Sequence, residues 1–416
     1  MPVDRPEIVR RTDCRICRSR ELDPILSLGA TPLANAFLRS PEEFATERRY
    51  PLDLSFCRSC GLLQLLDVVD PDILFREYIY VTGTSSTQTA HAREYAATVV
   101  DLLKLGPDDL VAEVASNDGT FLRAFAAHDV RALGIEPATN LAADATASGV
   151  ETVNEFFTRE VGVRLRAERG AARVVVANNV LAHVDDPRDV LEGCRALVAD
   201  DGLIVVEVPY VGDMLDRVEY DTIYHEHLSY FAIAPLCRLA EMAALRIVRI
   251  DRVAVHGGSL RVYFSKSAAS HSTDVLQLEA AERERGAADA ARSRRFAGEV
   301  GESRRALLDL LARLAREGAE VAAYGAPAKG NTLLNFCGID TRLIRYTVDR
   351  NPRKVGLFTP GMHIPVRPVS ALTNGRPPDF LLVLAWNIAE EIVQQQHEYR
   401  ARGGRFIIPV PRARVI

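Results

Sequence analysis

The sequence predicts an α/β protein in which a small cysteine-containing module precedes two larger α/β units. Two C-x-x-C pairs lie within the first sixty residues. From about Asp109 onward, short β-rich runs alternate with helical stretches, as is typical of a mostly parallel sheet covered on both faces. A second alternation of this kind begins near residue 320. Because 416 residues exceed what one compact core accommodates, we predict three domains, at residues 1–80, 81–270 and 271–416.

The overall composition is that of an ordinary globular protein. Hydrophobic residues make up 48% of the chain and charged residues 26%. No apolar run approaches the roughly 18 residues of a membrane span, and residues 1–13 lack the apolar stretch of a secretory signal, so we expect a cytoplasmic protein. The net charge of −5 argues against a broad nucleic-acid surface. We therefore expect a small-molecule substrate, which must meet a local basic pocket if it is anionic.

The two C-x-x-C pairs are the first candidate site. They comprise Cys14, Cys17, Cys57 and Cys60. Four thiolates suit tetrahedral Zn²⁺, which prefers sulfur and needs no redox partner. Four sulfur ligands would leave no open position, so the predicted zinc site is structural. A set of redox or incidental thiols is the alternative.

The order of elements in the first α/β unit favours one cofactor class. The predicted strands are 110–115, 132–136, 151–155, 173–177 and 203–207, and the helices between them are 120–127, 141–148, 159–168 and 187–198. A helix at 235–244 and a hairpin of strands 246–253 and 259–264 complete the unit. This terminal hairpin is a feature of class I methyltransferases, whereas a nicotinamide-binding Rossmann domain normally continues with parallel strands. The layout therefore predicts binding of S-adenosylmethionine (SAM).

Cofactor contacts are expected where the parallel strands end, because ligands of such sheets bind at the carboxyl ends. Glu136 is suited to accept hydrogen bonds from the ribose hydroxyls, and the polar residues after the third and fourth strands would face the adenine and the methionine moiety. The glycine motif is weak by itself, because Ala115 replaces a glycine common at that site and G-x-G-x-x-G is absent, so a nicotinamide enzyme is the alternative. The predicted cofactor-binding residues are Ala115, Asn117, Asp118, Gly119, Glu136, Asn154, Phe156, Phe157, Asn178 and Asn179.

Two further segments carry reactive side chains. His183 follows the fourth strand, and residues 220–230 contain two histidines, a glutamate and three tyrosines. The zincin motif H-E-x-x-H is excluded, because its second histidine position holds Ser229. Methylation of a carbon next to a ketone needs a base near neutral pH, which histidine supplies, and donors aimed at the enolate oxygen, such as tyrosine or a second histidine. A hydrogen-bonded structural segment is the alternative.

Taken together, the four cysteines, the N-D-G loop at 117–119, the E-H segment at 226–227 and the H-G-G hairpin at 256–258 resemble the three-domain sugar C-methyltransferases of deoxysugar biosynthesis. Members of that family act on nucleotide-activated 4-keto-6-deoxyhexoses. The sequence is similar both to the C-3-methylating tetronitrose group and to a C-5-methylating branch, so the methylated carbon stays open. The resemblance implies that His227 is the base, with Glu226 beside it, that His183 donates to the enolate oxygen, and that Tyr224 and Tyr78 complete the catalytic set.

The C-terminal unit is expected to hold the nucleotide diphosphate. Residues 276–317 predict one long charged helical stretch, either a dimer helix or a connector packed on a sheet, and leave monomer and homodimer open. After a strand at 320–324, a Gly-rich turn with a lysine precedes a helix N-terminus, which suits a phosphate. A strand at 380–386 ends in Trp386, which is suited to stack on a base. The predicted substrate-binding residues are Tyr78, Ser85, His256, Lys329, Asn331, Arg353 and Lys354.

Two other functions remain as alternatives on the sequence alone. One is a nicotinamide-dependent nucleotide-sugar oxidoreductase or epimerase. The other is a zinc-ribbon RNA-binding protein or RNA methyltransferase, which would need a basic stripe with aromatic residues that the scattered arginines do not form.

Overall fold

A computed structural model describes residues 6–254, 257–286 and 289–416. The predicted substrate residue His256 lies outside these ranges. The described chain contains a small antiparallel N-terminal module, a seven-stranded middle sheet and a six-stranded C-terminal sheet. Within the described ranges, no helix combines the length and the apolarity needed to cross a membrane.

The N-terminal module is a small antiparallel β structure with the two cysteine pairs at one end. Its second to fourth strands form an antiparallel sheet, and its first and fifth strands pair with each other. A two-residue strand from the middle of the chain, Ser229–Tyr230, adds to the edge of this sheet. The strands are β1 (Ile8–Arg10), β2 (Leu22–Thr31), β3 (Tyr50–Cys57), β4 (Leu63–Leu65) and β5 (Asp67–Val69), and the helices that follow are α1 (Pro71–Phe75) and α2 (Ser86–Leu103).

The middle domain has the strand order expected of a class I methyltransferase. Its sheet runs β12-β13-β10-β9-β6-β7-β8, and all strands are parallel except β13, which is antiparallel to both of its neighbours. The central strands are Val- and Ala-rich and buried, as in a sheet covered on both faces. Its elements are β6 (Leu110–Val114), α3 (Thr120–Ala126), β7 (Arg131–Ile135), α4 (Thr139–Ala147), β8 (Thr152–Val153), α5 (Arg159–Arg169), β9 (Ala172–Asn178), α6 (Pro187–Leu197), β10 (Val198–Pro209), α7 (Val211–Asp216), β11 (Ser229–Tyr230), α8 (Ile233–Met242), β12 (Arg246–Val253) and β13 (Ser259–Ser265).

The single helical stretch predicted at 276–317 is wrong, because the structure has two helices there. These are α9 (Thr273–Glu284) and α10 (Ala290–Arg316). Gly286 adopts a left-handed φ of +64° just after α9, and the Asp289 side chain accepts a hydrogen bond from the backbone N–H of Arg292 at 2.6 Å to begin α10. The apolar stripe of α10 is buried within this chain, where the helix packs on β2 and α7. The helix is therefore a connector.

The C-terminal sheet has the order β16-β15-β14-β17-β18-β19, with only the last strand antiparallel. The strand predicted to reach Trp386 ends three residues earlier, and Trp386 begins a single 3₁₀ turn, Trp386–Ile388. The elements are β14 (Val321–Tyr324), α11 (Ala328–Cys337), β15 (Thr347–Asp349), β16 (Val366–Pro368), β17 (Phe380–Val383), α12 (Ala389–Gln395), α13 (His397–Ala401), β18 (Arg405–Ile408) and β19 (Arg414–Val415).

Candidate active site

The four cysteines of the N-terminal module converge on one point. Their Sγ atoms all lie within 4.8 Å of one another, and two cross-pair distances are 3.6 Å (Cys14 to Cys60) and 3.5 Å (Cys17 to Cys57). All four are free thiols. Tetrahedral zinc with Zn–S bonds of about 2.3 Å holds its sulfurs about 3.8 Å apart, so the donor set fits the ion. A zinc ion bound there would have no open coordination position.

The cofactor loop after β6 turns sharply through residues with left-handed backbone. Ala115, Asn117 and Gly119 have φ of +53°, +52° and +77°. Such angles are uncommon for residues other than glycine and persist only where the surroundings hold them. The Asn117 side chain accepts a hydrogen bond from the backbone N–H of Thr82 at 2.9 Å. Gly83 lies so close to this loop that a Cβ there would stand 2.4 Å from an Asp118 carboxylate oxygen. The segment before α2 therefore lies across the cofactor loop.

Glu136 stands at the end of β7, where a ribose would lie. Its two carboxylate oxygens accept the backbone N–H groups of Asn117 at 2.7 Å and Ala138 at 2.8 Å. Burial raises the pKa of Glu136, and these two bonds oppose the shift. Each oxygen retains acceptor capacity for a ribose hydroxyl. The carboxylate therefore both shapes the loop and fits the role predicted for it.

The remaining predicted cofactor residues differ in their surroundings. Neither amide atom of Asn178 has a hydrogen-bond partner among the described residues although both are buried, as expected for groups that meet a polar ligand. Asn154 donates to the Glu136 carbonyl at 2.8 Å, and Phe156 packs under the Arg76 guanidinium at 4.5 Å. The expectation that Phe157 faces the adenine is wrong, because its ring packs in the core.

His227 presents a ring nitrogen whose protonation follows from its contacts. Its Nδ1 lies 2.8 Å from the carbonyl oxygen of Thr222, which can only accept, so Nδ1 carries the hydrogen of the neutral ring. The Nε2 lone pair then faces the Tyr224 hydroxyl at 2.6 Å. The His183 ring stands edge-on to His227 with centroids 4.8 Å apart. A neutral imidazole in contact with a hydroxyl and with a second imidazole offers the types of base and donor that proton removal next to a carbonyl requires.

Glu226 of the middle domain meets residues of the N-terminal and C-terminal parts of the chain. Its carboxylate accepts from the Tyr78 hydroxyl and from the Asn35 side-chain amide, both at 2.7 Å. Burial raises the pKa of Glu226, while these two bonds and the charge of Lys354 oppose the rise. Lys354 is itself buried and donates to the Ala326 carbonyl at 2.7 Å. Tyr78 and Lys354, both predicted from the sequence, are therefore gathered at the same carboxylate.

His225 has a different environment from its neighbour His227. It is buried, and its Nε2 lies 3.2 Å from the carbonyl oxygen of Tyr50, so Nε2 carries the hydrogen. Burial lowers the pKa of His225 to about 4. This histidine is neutral near pH 7 and ties the segment to β3, which does not fit the role of the base.

The C-terminal domain meets the catalytic segment through charged and aromatic residues. Lys329 pairs with Glu219 at 3.5 Å, and its ammonium lies 5.7 Å from the Trp386 ring centre. The Trp386 indole N–H donates to the buried Asp221 carboxylate at 2.6 Å. Burial raises the pKa of Glu219 to about 7, although Lys329 opposes the rise. The indole is thus engaged by this carboxylate, and its ring faces Lys329.

Three other predicted substrate residues lie at separate places on the fold. Asn331 is buried in α11 and donates to the Ala34 carbonyl at 2.7 Å. The Ser85 hydroxyl caps α2 by accepting from the backbone N–H of Gln88 at 3.3 Å. Arg353 pairs with Asp144 of the middle domain at 3.0 Å. The structure therefore does not gather these three around the catalytic segment.

Sequence reasoning did not single out two contacts of this site. Asn35 lies in a stretch without a recognisable motif, and the carbonyl of Thr222 acts through the backbone, which any residue supplies. No local signal identifies either contact, because each depends on which distant segment packs alongside.

A curated relative covers almost the whole chain. C-methyltransferase NovU of Streptomyces niveus is 40% identical over 414 residues, which are 99% of this chain and 98% of that protein. This chain belongs to the C-methyltransferase family. Three family models match it: "Putative zinc binding domain" at 14–75, "Methyltransferase domain" at 88–250 and "C-methyltransferase C-terminal domain" at 254–411.

Two solved methyltransferase structures each resemble a part of the chain. A SAM-dependent methyltransferase from Clostridium acetobutylicum is 9% identical, with a TM-score of 0.35 over 42% of this chain and 91% of that one. The CcbJ methyltransferase from Streptomyces caelestis is 18% identical, with a TM-score of 0.32 over 41% of this chain and 88% of that one.

Family membership confirms the main predictions on activity and cofactors. The protein is a SAM-dependent C-methyltransferase with an N-terminal zinc-binding domain, as the sequence indicated. The family match does not support the nicotinamide-dependent alternative. SAM, when bound, supplies an electrophilic methyl group, and Asn117, Glu136 and Asn178 are the residues that would hold it.

Proposed function

We propose that the protein methylates the carbon next to the C-4 ketone, at C-3 or C-5, of a TDP-4-keto-6-deoxyhexose. The observation that carries this proposal is the neutral ring of His227, whose Nε2 lies 2.6 Å from the Tyr224 hydroxyl and whose ring stands edge-on to the His183 ring. Carbon methylation requires loss of a C–H proton before methyl transfer, whereas methylation of oxygen or nitrogen needs fewer catalytic groups. A base in contact with a hydroxyl donor and a second imidazole supports the more demanding chemistry.

In the proposed reaction, His227 Nε2 takes the proton from the carbon beside the ketone. The C–H electron pair becomes the carbon–carbon double bond of an enolate, and the C=O π pair moves onto the ketone oxygen as negative charge. Tyr224, whose hydroxyl turns from His227 Nε2 to this oxygen, and His183 are the donors that stabilise it. The proton on His227 leaves a cationic imidazolium, and the nearby Glu226 carboxylate favours that charge electrostatically. The nucleophilic carbon would then take the methyl group, and the methyl–sulfur electron pair would stay with S-adenosylhomocysteine as it leaves.

In this scheme Glu226 acts electrostatically, and three side chains hold its carboxylate and favour its charged form. Tyr78 and Asn35 donate to its two oxygens, and the charge of Lys354 keeps the buried carboxylate more easily ionised. Lys354 was expected to bind substrate. Its ammonium donates to a backbone carbonyl beside the catalytic domain, which favours an electrostatic role on Glu226 over direct contact with phosphate.

We further propose that the nucleotide diphosphate is recognised beside the N-terminus of α11. Lys329 lies in the first turn of that helix and faces the catalytic segment across its pair with Glu219. A phosphate at a helix N-terminus gains from the helix dipole and from a nearby ammonium. Lys329 is the proposed phosphate contact, with the sugar between Tyr78 and the catalytic segment.

The test is incubation of the protein with SAM and TDP-4-keto-6-deoxyhexoses in deuterated water, followed by NMR and mass spectrometry of the sugar. We expect one added methyl group at C-3 or C-5, together with loss of the proton on that same carbon. The panel includes sugars with an amine, a hydroxyl or hydrogen at C-3. Transfer to an oxygen or nitrogen, or no transfer to any of these sugars while SAM binds, would remove the proposal.

A further inference from the structure

The zinc-binding module and the catalytic segment share one buried guanidinium. Arg15 lies between Cys14 and Cys17 in the first cysteine pair, and its side chain is fully buried. Burial of a charged group is unfavourable unless hydrogen bonds and opposite charges compensate it. The acceptors around Arg15 therefore indicate what keeps it there.

Those acceptors belong to the catalytic segment and to the sheet that carries it. Arg15 donates to the carbonyl of Leu228 and, at 2.6 Å, to the carbonyl of Leu65. Its Nη2 also lies 3.7 Å from the carboxylate of Asp185. Leu228 directly follows His227, and Asp185 lies two residues after His183. One side chain thus contacts the backbone or neighbours of both catalytic histidines.

The two catalytic loops are also bonded to each other at this point. The backbone N–H groups of Leu228 and Ser229 donate to the carbonyl of Ala182 at 2.7 and 3.1 Å. Ala182 directly precedes His183. A displacement of Leu228 would therefore be transmitted to both histidine rings, whose centroids are 4.8 Å apart.

The second cysteine pair provides an internal comparison. Arg58 occupies the same position between Cys57 and Cys60 that Arg15 occupies in the first pair. Its side chain is 61% exposed and pairs only with Asp23 among the ion pairs of the described chain. Both cysteine pairs therefore carry an arginine at the same position, and of these two arginines only Arg15 points into the protein.

We propose that Arg15 is a positioning residue that couples the zinc centre to the geometry of His183 and His227. Zinc would hold the backbone of residues 14–17, which sets the position of the guanidinium and with it the Leu228 carbonyl. This inference rests on the proposed function, because it concerns how the proposed base and donor are held. It gives the zinc-binding domain a part in turnover beyond support of its own fold.

The test compares Arg15→Met with Arg58→Met in the full-length, zinc-loaded protein. Methionine keeps much of the stem of Arg15 and removes its donors. The fold should persist, because the Leu65 N–H still donates to the Leu228 carbonyl at 3.0 Å and Arg11 still binds Asp185 with two bonds of 3.0 Å. For Arg15→Met we expect kcat and the rate of deuterium exchange at the acidic carbon to fall about 10- to 100-fold, as for a small misplacement of reacting groups.

Other readouts separate positioning from plain loss of structure. Zinc content and the Kd for SAM, measured by metal analysis and calorimetry, should stay within about twofold of wild type for both variants. The imidazole NMR signals of His183 and His227 should shift in Arg15→Met and not in Arg58→Met. Arg15→Lys, which keeps one charged donor, should recover part of kcat.

Equal exchange rates and unshifted imidazole signals in Arg15→Met would overturn the coupling, as would loss of zinc and of SAM affinity in proportion to activity. A similar fall in kcat for Arg58→Met would overturn it too. If the wild type itself shows neither exchange nor methyl transfer to carbon, the proposed function fails instead, and the imidazole signals still decide whether Arg15 positions the two rings.

Discussion

Replacement of His227 by asparagine tests the proposed base directly. The substitution removes the Nε2 lone pair. The asparagine amide can still donate to the Thr222 carbonyl, as the Nδ1 of His227 does at 2.8 Å. Tyr224 does not replace the base, because burial raises the pKa of its hydroxyl well above the ordinary value. Loss of a general base lowers the rate by about 10²–10⁴-fold, or about 3–5 kcal/mol of activation free energy.

The assay follows deuterium exchange at the carbon beside the ketone with S-adenosylhomocysteine bound, and then kcat with SAM. We expect both to fall together by that factor, with the Kd for SAM nearly unchanged because Glu136 is untouched. His225→Asn is the matched control: it lies two residues away and its ring is tied to the Tyr50 carbonyl, so exchange per folded molecule should hold. Exchange near the wild-type rate in His227→Asn, or an equal loss in His225→Asn, would refute the assignment.

Four further predictions follow from the same geometry. Tyr224→Phe and His183→Asn should each lower kcat about 10²–10³-fold through loss of an enolate donor, and unchanged turnover in both would exclude that role. Glu136→Gln should weaken SAM binding about 10- to 100-fold by calorimetry, because a carboxylate that accepts two backbone N–H groups becomes an amide that can satisfy only one; an unchanged Kd would contradict this. Cys57→Ser should lower zinc content and Tm together, since a hydroxyl is a poor zinc ligand, and full zinc occupancy would contradict the site. Burial lowers the pKa of His225 from 6.5 to about 4, so on acidification the unfolded chain takes up this proton before the folded protein does. The contribution of His225 to the free energy of unfolding should therefore be fully present above pH 6.5 and fall by about 3 kcal/mol towards pH 4. In denaturant titrations, the difference in free energy of unfolding between wild type and His225→Asn should be smaller at pH 5 than at pH 7.

Local patterns accounted for most of the middle domain. Every strand and helix predicted from 110 to 264 has a counterpart in the structure, because buried parallel strands and amphipathic helices leave short-range periodic signals. The prediction of one continuous helix at 276–317 was wrong at one point. Gly286 and the capping side chain of Asp289 divide it, and neither interrupts an Ala- and Arg-rich composition strongly enough to be read as a break.

The candidate site was predictable only in part. The density of histidine and tyrosine predicts a site at 220–230, and the family resemblance adds Tyr78 to it. The roles assigned to these residues remain predictions that the experiments above address. Asn35 was missed because an amide donor to a buried carboxylate is recognisable only when the carboxylate lies beside it.

By itself, the sequence determined the order of elements, the four zinc ligands and the kind of chemistry, because periodicity, cysteine spacing and residue type are properties of neighbouring positions. The tertiary structure alone decided which nitrogen of His225 and of His227 carries the hydrogen, since a backbone carbonyl sets each tautomer. It also decided that Arg15 is buried and Arg58 exposed, although both occupy the same place in a C-x-x-C pair. Those outcomes depend on which segments pack together across the fold, and a one-dimensional pattern does not carry that information.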